Sequence, residues 1–195
     1  MKLYVVRHGQ SENNLKKLFT GWTDAPLTEK GIRDAETVRD FLSRVPFDKV
    51  YTSDLQRAMK TAETALPGCV YETTPLIREL CIGKAENQPI AECPQIFGEE
   101  FLAHQKVQNY VPYGGEDRVM LAARAQKFLD LVANSEHQRV AAFSHGGFLK
   151  CLCRLVLGEN TSTGNIRCPN CSILILDYDG IKWRMDSWIS PDTVF

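Results

Sequence analysis

Apolar and polar positions along this chain fall into blocks that switch between the period of a strand and that of a helix. Leu3 to Val6 is a short, partly β-branched apolar run, the composition of a buried parallel strand. Ser11 to Leu18 predicts a short helix, and Phe19 to Pro26 a loop containing Gly21-Trp22. Thr28 caps the next helix, whose Ile32, Ala35, Val38, Phe41 and Leu42 recur at helical spacing until Pro46 stops it. Lys49–Tyr51 predicts a second strand, Asp54 to Leu66 a helix, and Cys69–Tyr71 a third strand. After an irregular stretch, a helix runs from Asp117 to about Asn134, with Val119, Ala123, Phe128, Leu131 and Val132 as its apolar positions. Arg139–Phe143 then predicts a fourth strand and Gly146–Leu157 an apolar helix. Ser172–Tyr178 and Ile181–Trp188, joined at Asp179-Gly180, predict a terminal hairpin.

Strands alternating with helices imply an α/β fold: a three-layer α/β/α sandwich with a mostly parallel sheet and one antiparallel edge strand. The whole chain, 1–195, reads as a single domain. Its irregular part, about 76–115, carries Pro89, Pro94 and Pro112 and reads as an insertion with short helices at Pro89–Ile96 and Glu99–Asn109. It is expected to cover one rim of the sheet as a lid, the kind of element that sets substrate choice.

Composition narrows the picture modestly. Apolar residues make up 44% and charged residues 24% of 195 residues, as in an ordinary soluble globule. The net charge of −1 and the lack of a basic stretch make nucleic acid an unexpected partner. No apolar run approaches the ~20 residues of a membrane span, so no membrane association is expected. The chain enters a strand almost at once, leaving no room for a signal peptide, so a cytoplasmic location is expected, as a monomer or homodimer. Seven cysteines without framework spacing suit reduced, mostly buried thiols. Cys168-Pro-Asn-Cys171, with Cys151 and Cys153, offers four thiolates for zinc, but those two upstream cysteines lie in an apolar helical run. A structural reading is preferred, and no metal and no cofactor is expected.

The chemistry concentrates where strands end. The first strand stops at Arg7-His8-Gly9, and far downstream an apolar run ends again in His145-Gly146-Gly147. In open α/β sheets ligands sit at the carboxyl ends of strands, so the two histidines are expected at one rim. Arg57, in the first turn of the helix after the second strand, points to the same rim. Arg7, His8, Arg57 and His145 form a neutral-to-positive set suited to a dianion, most commonly a phosphate monoester. Asn14 adds a short polar group, and glycine after each histidine lets bare N–H groups approach an anion. A merely solvated strand end or helix-face arginine is the bland alternative, weakened by the His-Gly repetition.

The histidines point beyond binding. An imidazole with an ordinary pKa of about 6.5 is largely neutral at pH 7, and two neighbouring arginines bias it further that way. In-line attack on phosphorus would give a phosphohistidine that water cleaves. The leaving alkoxide needs a proton, for which Glu79 at the mouth of the insertion is the candidate and Glu86 the rival.

These residues resemble the histidine phosphatase superfamily, in its phosphoglycerate-mutase-like branch. The likeness begins with Arg7-His8-Gly9. It continues through Ser11, Asn14, Gly21-Trp22, Asp24, Pro26-Leu27-Thr28, Gly31 and Ala35. Ser53-Asp54-Leu55, Arg57-Ala58 and Thr61-Ala62 resemble a second block, Glu79 with Gly83 a third, Gly114-Gly115-Glu116 a fourth and Ser144-His145-Gly146-Gly147 the last. The resemblance implies His8 as the phosphorylated nucleophile, Arg7, Arg57 and His145 as the phosphate pocket, Asn14, Gly21 and Gly146 as helpers, and Glu79 as proton donor. It implies no metal. Leu80-Cys81-Ile82 depart from the Arg-His-Tyr that follows the glutamate in the cofactor-dependent mutases, and Ala85-Glu86-Asn87 from the Trp-Glu-Gly of many phosphatases.

The expectation is therefore a phosphatase of small phosphate monoesters. Alternatives are a phosphoglycerate-mutase-type phosphotransferase, favoured by the mutase-like Phe19–Asp24, and a non-catalytic phosphate-binding scaffold. A zinc hydrolase using His8 and His145 is disfavoured because Arg7 and Arg57 would repel the metal.

Overall fold

β1 (Lys2–Arg7) runs through the interior of a six-stranded sheet. The computed structural model describes residues 1–158 and 160–191. The other strands are β2 (Lys49–Ser53), β3 (Glu72–Thr74), β4 (Arg139–Ser144), β5 (Ile173–Tyr178) and β6 (Trp183–Ile189), in the spatial order β3-β2-β4-β1-β5-β6. β1 to β4 are parallel to their neighbours. β5 runs antiparallel to β1, and β6 returns antiparallel to β5 at the edge. The reversed strand is thus one place in from the edge, because the terminal hairpin turns the chain twice.

Alternation within β1 builds the layers. Leu3 and Val5 face a core completed by α7 (Arg118–Ala133), α8 (Gly146–Leu157) and the inserted segment. Tyr4 and Val6 face a second core against α2 (Glu29–Thr37), α3 (Arg39–Leu42) and α4 (Gln56–Ala65). Side chains on opposite faces of one strand demand cover on both sides, which is why the fold has three layers.

Several boundaries differ from expectation. The first short helix shrinks to α1 (Glu12–Leu15), and Lys17 at φ 55° turns the chain away. The helix expected up to Pro46 breaks at Val38 into α2 and α3. The third strand is Glu72–Thr74 instead of Cys69–Tyr71, because β2 pairs Tyr51 with Glu72 and leaves Val70 in solvent, 92% exposed. Here backbone pairing to a short neighbour, and not apolar content, fixed the register. On α7 the buried face is Leu121, Ala125, Phe128, Leu129 and Val132, whereas Val119 and Leu131 are exposed. The helix is apolar on more than one face, so helical spacing alone selects two stripes.

The segment 76–115 carries the helices α5 (Cys93–Phe97) and α6 (Glu100–Val107). Phe101 of α6 is fully buried against Phe19, Phe97, Tyr110 and Tyr113, so this segment joins the core under α7 and α8. Among the described residues no helix is long and apolar enough to cross a membrane.

Candidate active site

Arg7 and Ser144 are register partners at the ends of β1 and β4, so the next residues, His8 and His145, leave the sheet side by side. Their rings meet edge to face with centroids 5.1 Å apart, and the His8 N–H donates to Ser144 O at 2.9 Å. Both are buried, at 4% and 0% exposure.

The surroundings of His8 settle its tautomer. Nδ1 lies 2.6 Å from Gly9 O, and a carbonyl only accepts, so Nδ1 carries the proton. Nε2 is left with a lone pair, 3.3 Å from Arg57 Nε, which donates to it. Burial, then Arg57 and Arg7, hold the His8 pKa well below the ordinary 6.5, with the Gly9 bond opposing. The turn is locked in place. A Cβ on Gly9 would lie 2.2 Å from Gly31 O, and the Gly9 N–H donates to Thr61 Oγ1 at 3.0 Å.

Arg57 is not a solvated helix-face arginine but a fully buried one. It donates to Thr23 O at 2.7 Å and Gly21 O at 2.8 Å, tying the loop between α1 and α2 to the site. Burial lowers its pKa to about 10, opposed by the charges of Glu79, Asp24 and Glu86, so it remains a cation at neutral pH. Arg7 donates through Nη1 to Cys168 O, while its buried Nε has no partner among the described residues. His145 contacts Ser53 Oγ through Nε2 at 2.9 Å, and its buried Nδ1 likewise has no partner. Burial first, then Arg57, hold the His145 pKa well below 6.5. Asn14 Oδ1 accepts from Ser11 N at 3.3 Å and Asn170 Nδ2 at 3.4 Å, and its side-chain N–H groups have no partner among the described residues.

Glu79 approaches from the chain between the 3-10 turns Pro75–Ile77 and Gly83–Ala85. Its carboxylate accepts from Leu80 N at 2.9 Å and from Gly147 N at 3.0 Å. Its main-chain carbonyl accepts twice more, from Trp22 Nε1 and from Arg124 Nη2, each at 2.7 Å. Arg124 also donates to Arg78 O at 2.6 Å and pairs with Glu116, whose other contact is Cys81 N at 3.0 Å. Glu116 thus supports the strand of chain that carries Glu79. Glu86 faces elsewhere: it accepts from Trp22 N at 2.9 Å, Ile82 N at 3.1 Å and Thr23 Oγ1 at 3.2 Å. It fastens the loop that Arg57 holds.

These groups open onto a cleft of about 330 Å³. Arg7, His8, Asn14, Gly21, Arg57, Glu79 and Gly146 line it, whereas His145, in ring contact with His8, is not on its wall. The sequence does not by itself single out Arg124, Gln108, Tyr110, Gly147 or Lys150. Gly147 is the residue against which Glu79 rests, since a Cβ there would stand 2.1 Å from Glu79 Oε1. Its signal was the second glycine of the His-Gly-Gly run. Arg124 could not be found that way, because its partners lie 45 to 48 residues upstream as well as in Glu116.

Cys168-Pro-Asn-Cys171 grips backbone. Cys171 N donates to Arg7 O at 3.1 Å, and Asn170 Nδ2 to His8 O at 2.9 Å, with Cys171 at φ 60°. Burial pushes the Cys171 thiol up to about 12 and those of Cys151 and Cys153 up to about 11. Among the described residues no group of three or more His, Cys, Asp or Glu is placed to hold a metal.

An α/β sandwich with a buried histidine pair, two arginines and a facing carboxylate at the strand ends defines a phosphoryl-handling enzyme class. The chain belongs to the histidine phosphatase superfamily, branch 1, whose sequence profile matches residues 3–191. A Proteus mirabilis protein bearing the name "Probable phosphoglycerate mutase GpmB" is 34% identical across 97% of this chain and 90% of its own. The adenosylcobalamin/alpha-ribazole phosphatase of Salmonella typhimurium is 35% identical across 78% of this chain and 77% of its own. Among solved structures, the alpha-ribazole phosphatase from Shigella flexneri superposes with a TM-score of 0.87 at 26% identity, covering 98% of this chain and 97% of that one. The mycobacterial glucosyl-3-phosphoglycerate phosphatase complexed with VO3 gives 0.83 at 28% identity, over 96% and 98%.

Proposed function

We propose that this protein hydrolyses small phosphate monoesters through a phosphohistidine on His8, with Glu79 as proton donor. The observation that carries this is the tautomer of His8, a residue lining the cleft: its Nε2 is unprotonated and accepts from the buried Arg57. Arg7 Nε, a buried donor without a partner among the described residues, supports an anion at the same place.

In the first half-reaction His8 Nε2 attacks phosphorus, the P–O bond to the leaving group breaks, and Glu79 protonates the departing oxygen. Arg7 and Arg57 hold charge on the transferring group without changing protonation. In the second half, Glu79 as carboxylate takes a proton from water, the water oxygen attacks phosphorus, and inorganic phosphate leaves with Nε2 restored. Hydrolysis is favoured over transfer by the apolar Leu80 and Ile82 on the cleft wall. A mutase needs the released alcohol gripped long enough to receive the phosphoryl group at a second oxygen. The relatives named as alpha-ribazole and glucosyl-3-phosphoglycerate phosphatases support the same choice.

The test is free phosphate released from a panel of phosphorylated metabolites by the purified protein. Release without an added acceptor is expected. Phosphoryl transfer between two substrate oxygens with no net phosphate would instead establish the mutase reading.

A further inference from the structure

A second cavity, between α7 and α8, takes no part in the chemistry at the strand ends. Helix α7 turns Arg118, Val119 and Ala122 of its first turns toward it, and α8 turns Arg154 and Leu155 of its last turns. Residues three and four apart share a helix face, so two facing stripes meet there. The cavity has a volume of about 410 Å³, in the range of small-molecule sites. None of these five side chains lines the catalytic cleft.

Its wall joins an apolar part to two cations and carries no carboxylate among the described residues. Arg154 is half-buried and donates to neutral oxygens, Thr163 Oγ1 at 2.6 Å and Gln108 Oε1 at 3.4 Å. Arg118 makes no hydrogen bond or ion pair among the described residues. Burial, and next the charge of Arg118, hold the Arg154 pKa below its ordinary value, so the two guanidiniums repel each other. By contrast Arg78 and Arg124, also partly buried, each pair with a carboxylate, Asp54 and Glu116. Two like charges beside one part-apolar cavity cost free energy that an incoming anion recovers.

We propose that this cavity is a ligand site separate from the catalytic cleft, and that its occupant is a small acid with an apolar body. The forks of Arg118 and Arg154 take the headgroup, carboxylate or phosphate, either of which fits their paired N–H groups. Val119, Ala122 and Leu155 take the body. The site stands whether or not His8 carries a phosphoryl group, because it shares no lining residue with that reaction.

The test is ¹H–¹⁵N chemical-shift mapping of the whole protein at low salt with three probes: phenylacetate, benzylphosphonate and the uncharged phenylacetamide. The two acids are expected to give saturable shifts at Val119, Ala122 and Leu155 with a Kd of about 1 mM, and the amide to bind at least about tenfold more weakly. The tighter of the two acids tells a carboxylate headgroup from a phosphate. Arg118→Glu, at an exposed position, should abolish these shifts and leave phosphate release from p-nitrophenyl phosphate unchanged. Arg154→Lys, which keeps charge but loses the fork, should weaken binding about tenfold. Shifts confined to the catalytic cleft around Gly9 and Gly146, equal binding of acid and amide, or binding undiminished in Arg118→Glu would each overturn the site. Any of these results leaves the phosphatase reading intact, and absence of phosphatase activity leaves the site intact.

Discussion

Arg57 Nε donates to His8 Nε2 across 3.3 Å, and the same guanidinium reaches Gly21 O and Thr23 O. One planar cation therefore touches the proposed nucleophile and fixes a loop 34 to 36 residues upstream. The fork geometry of arginine is what permits this, since a lysine ammonium is a point charge.

Arg57→Lys is expected to fold and to lose about 10²-fold in kcat/KM, because the charge survives while its geometry does not. Arg57→Ala should lose stability as well, by about 2 kcal/mol, since two buried carbonyls lose their donor. Steady-state kinetics with urea unfolding separates the two effects. Arg57→Lys at wild-type activity would remove Arg57 from the site.

Two buried histidines with lowered pKa values make stability depend on pH. The unfolded chain takes up protons as pH falls through about 6.5, whereas the folded chain holds His8 and His145 neutral. Folding stability is then full above that value and declines below it, until the folded pKa is reached. By pH 5.5 the loss is about 1.4 kcal/mol per histidine. His8→Gln should show a shallower decline than wild type in urea midpoints at pH 7.5 and 5.5. Parallel declines would mean that His8 is not held neutral by the fold.

Glu79 and Gly147 make a prediction together. Glu79→Gln should slow alkyl phosphates about 10²-fold or more while sparing p-nitrophenyl phosphate, whose leaving group needs no proton. Gly147→Ala should reproduce this pattern with the acid still present, because the new methyl takes the place of Glu79 Oε1. Equal slowing of both ester classes in Glu79→Gln would exclude the acid role.

Asn170 holds the His8 carbonyl and Asn14 Oδ1 from behind the turn. Asn170→Asp replaces the donor by an acceptor facing two acceptors. We expect kcat to fall about tenfold with KM rising as Asn14 is released, and Asn170→Ala to do less harm, since it removes a bond without adding repulsion. Greater damage from Ala than from Asp would point to packing instead.

Much of the site was legible in the chain because its parts sit at strand ends. Arg7-His8-Gly9 and His145-Gly146 follow apolar runs, and parallel pairing of those runs brings them together. Arg57 was legible by position but not by environment: nothing local shows that Gly21 and Thr23 close over it. Glu86 is the rival of Glu79 in sequence, and the loop it fastens sets it apart. Gln108 and Arg124 were illegible for one reason. Each acts through partners brought by another layer of the fold, and helical spacing records which face a residue occupies without recording what it meets. Cys69–Tyr71 shows the reverse limit, an apolar run that the sheet passed over in favour of Glu72–Thr74.

The central claim is a covalent bond between phosphorus and His8 Nε2. Rapid quench of the enzyme with a ³²P-labelled monoester, followed by alkaline peptide mapping, tests it directly. The account predicts an acid-labile, base-stable label on the peptide carrying His8, appearing before free phosphate and absent from His8→Ala. Turnover with no protein-bound label, or label on any other residue, would contradict it.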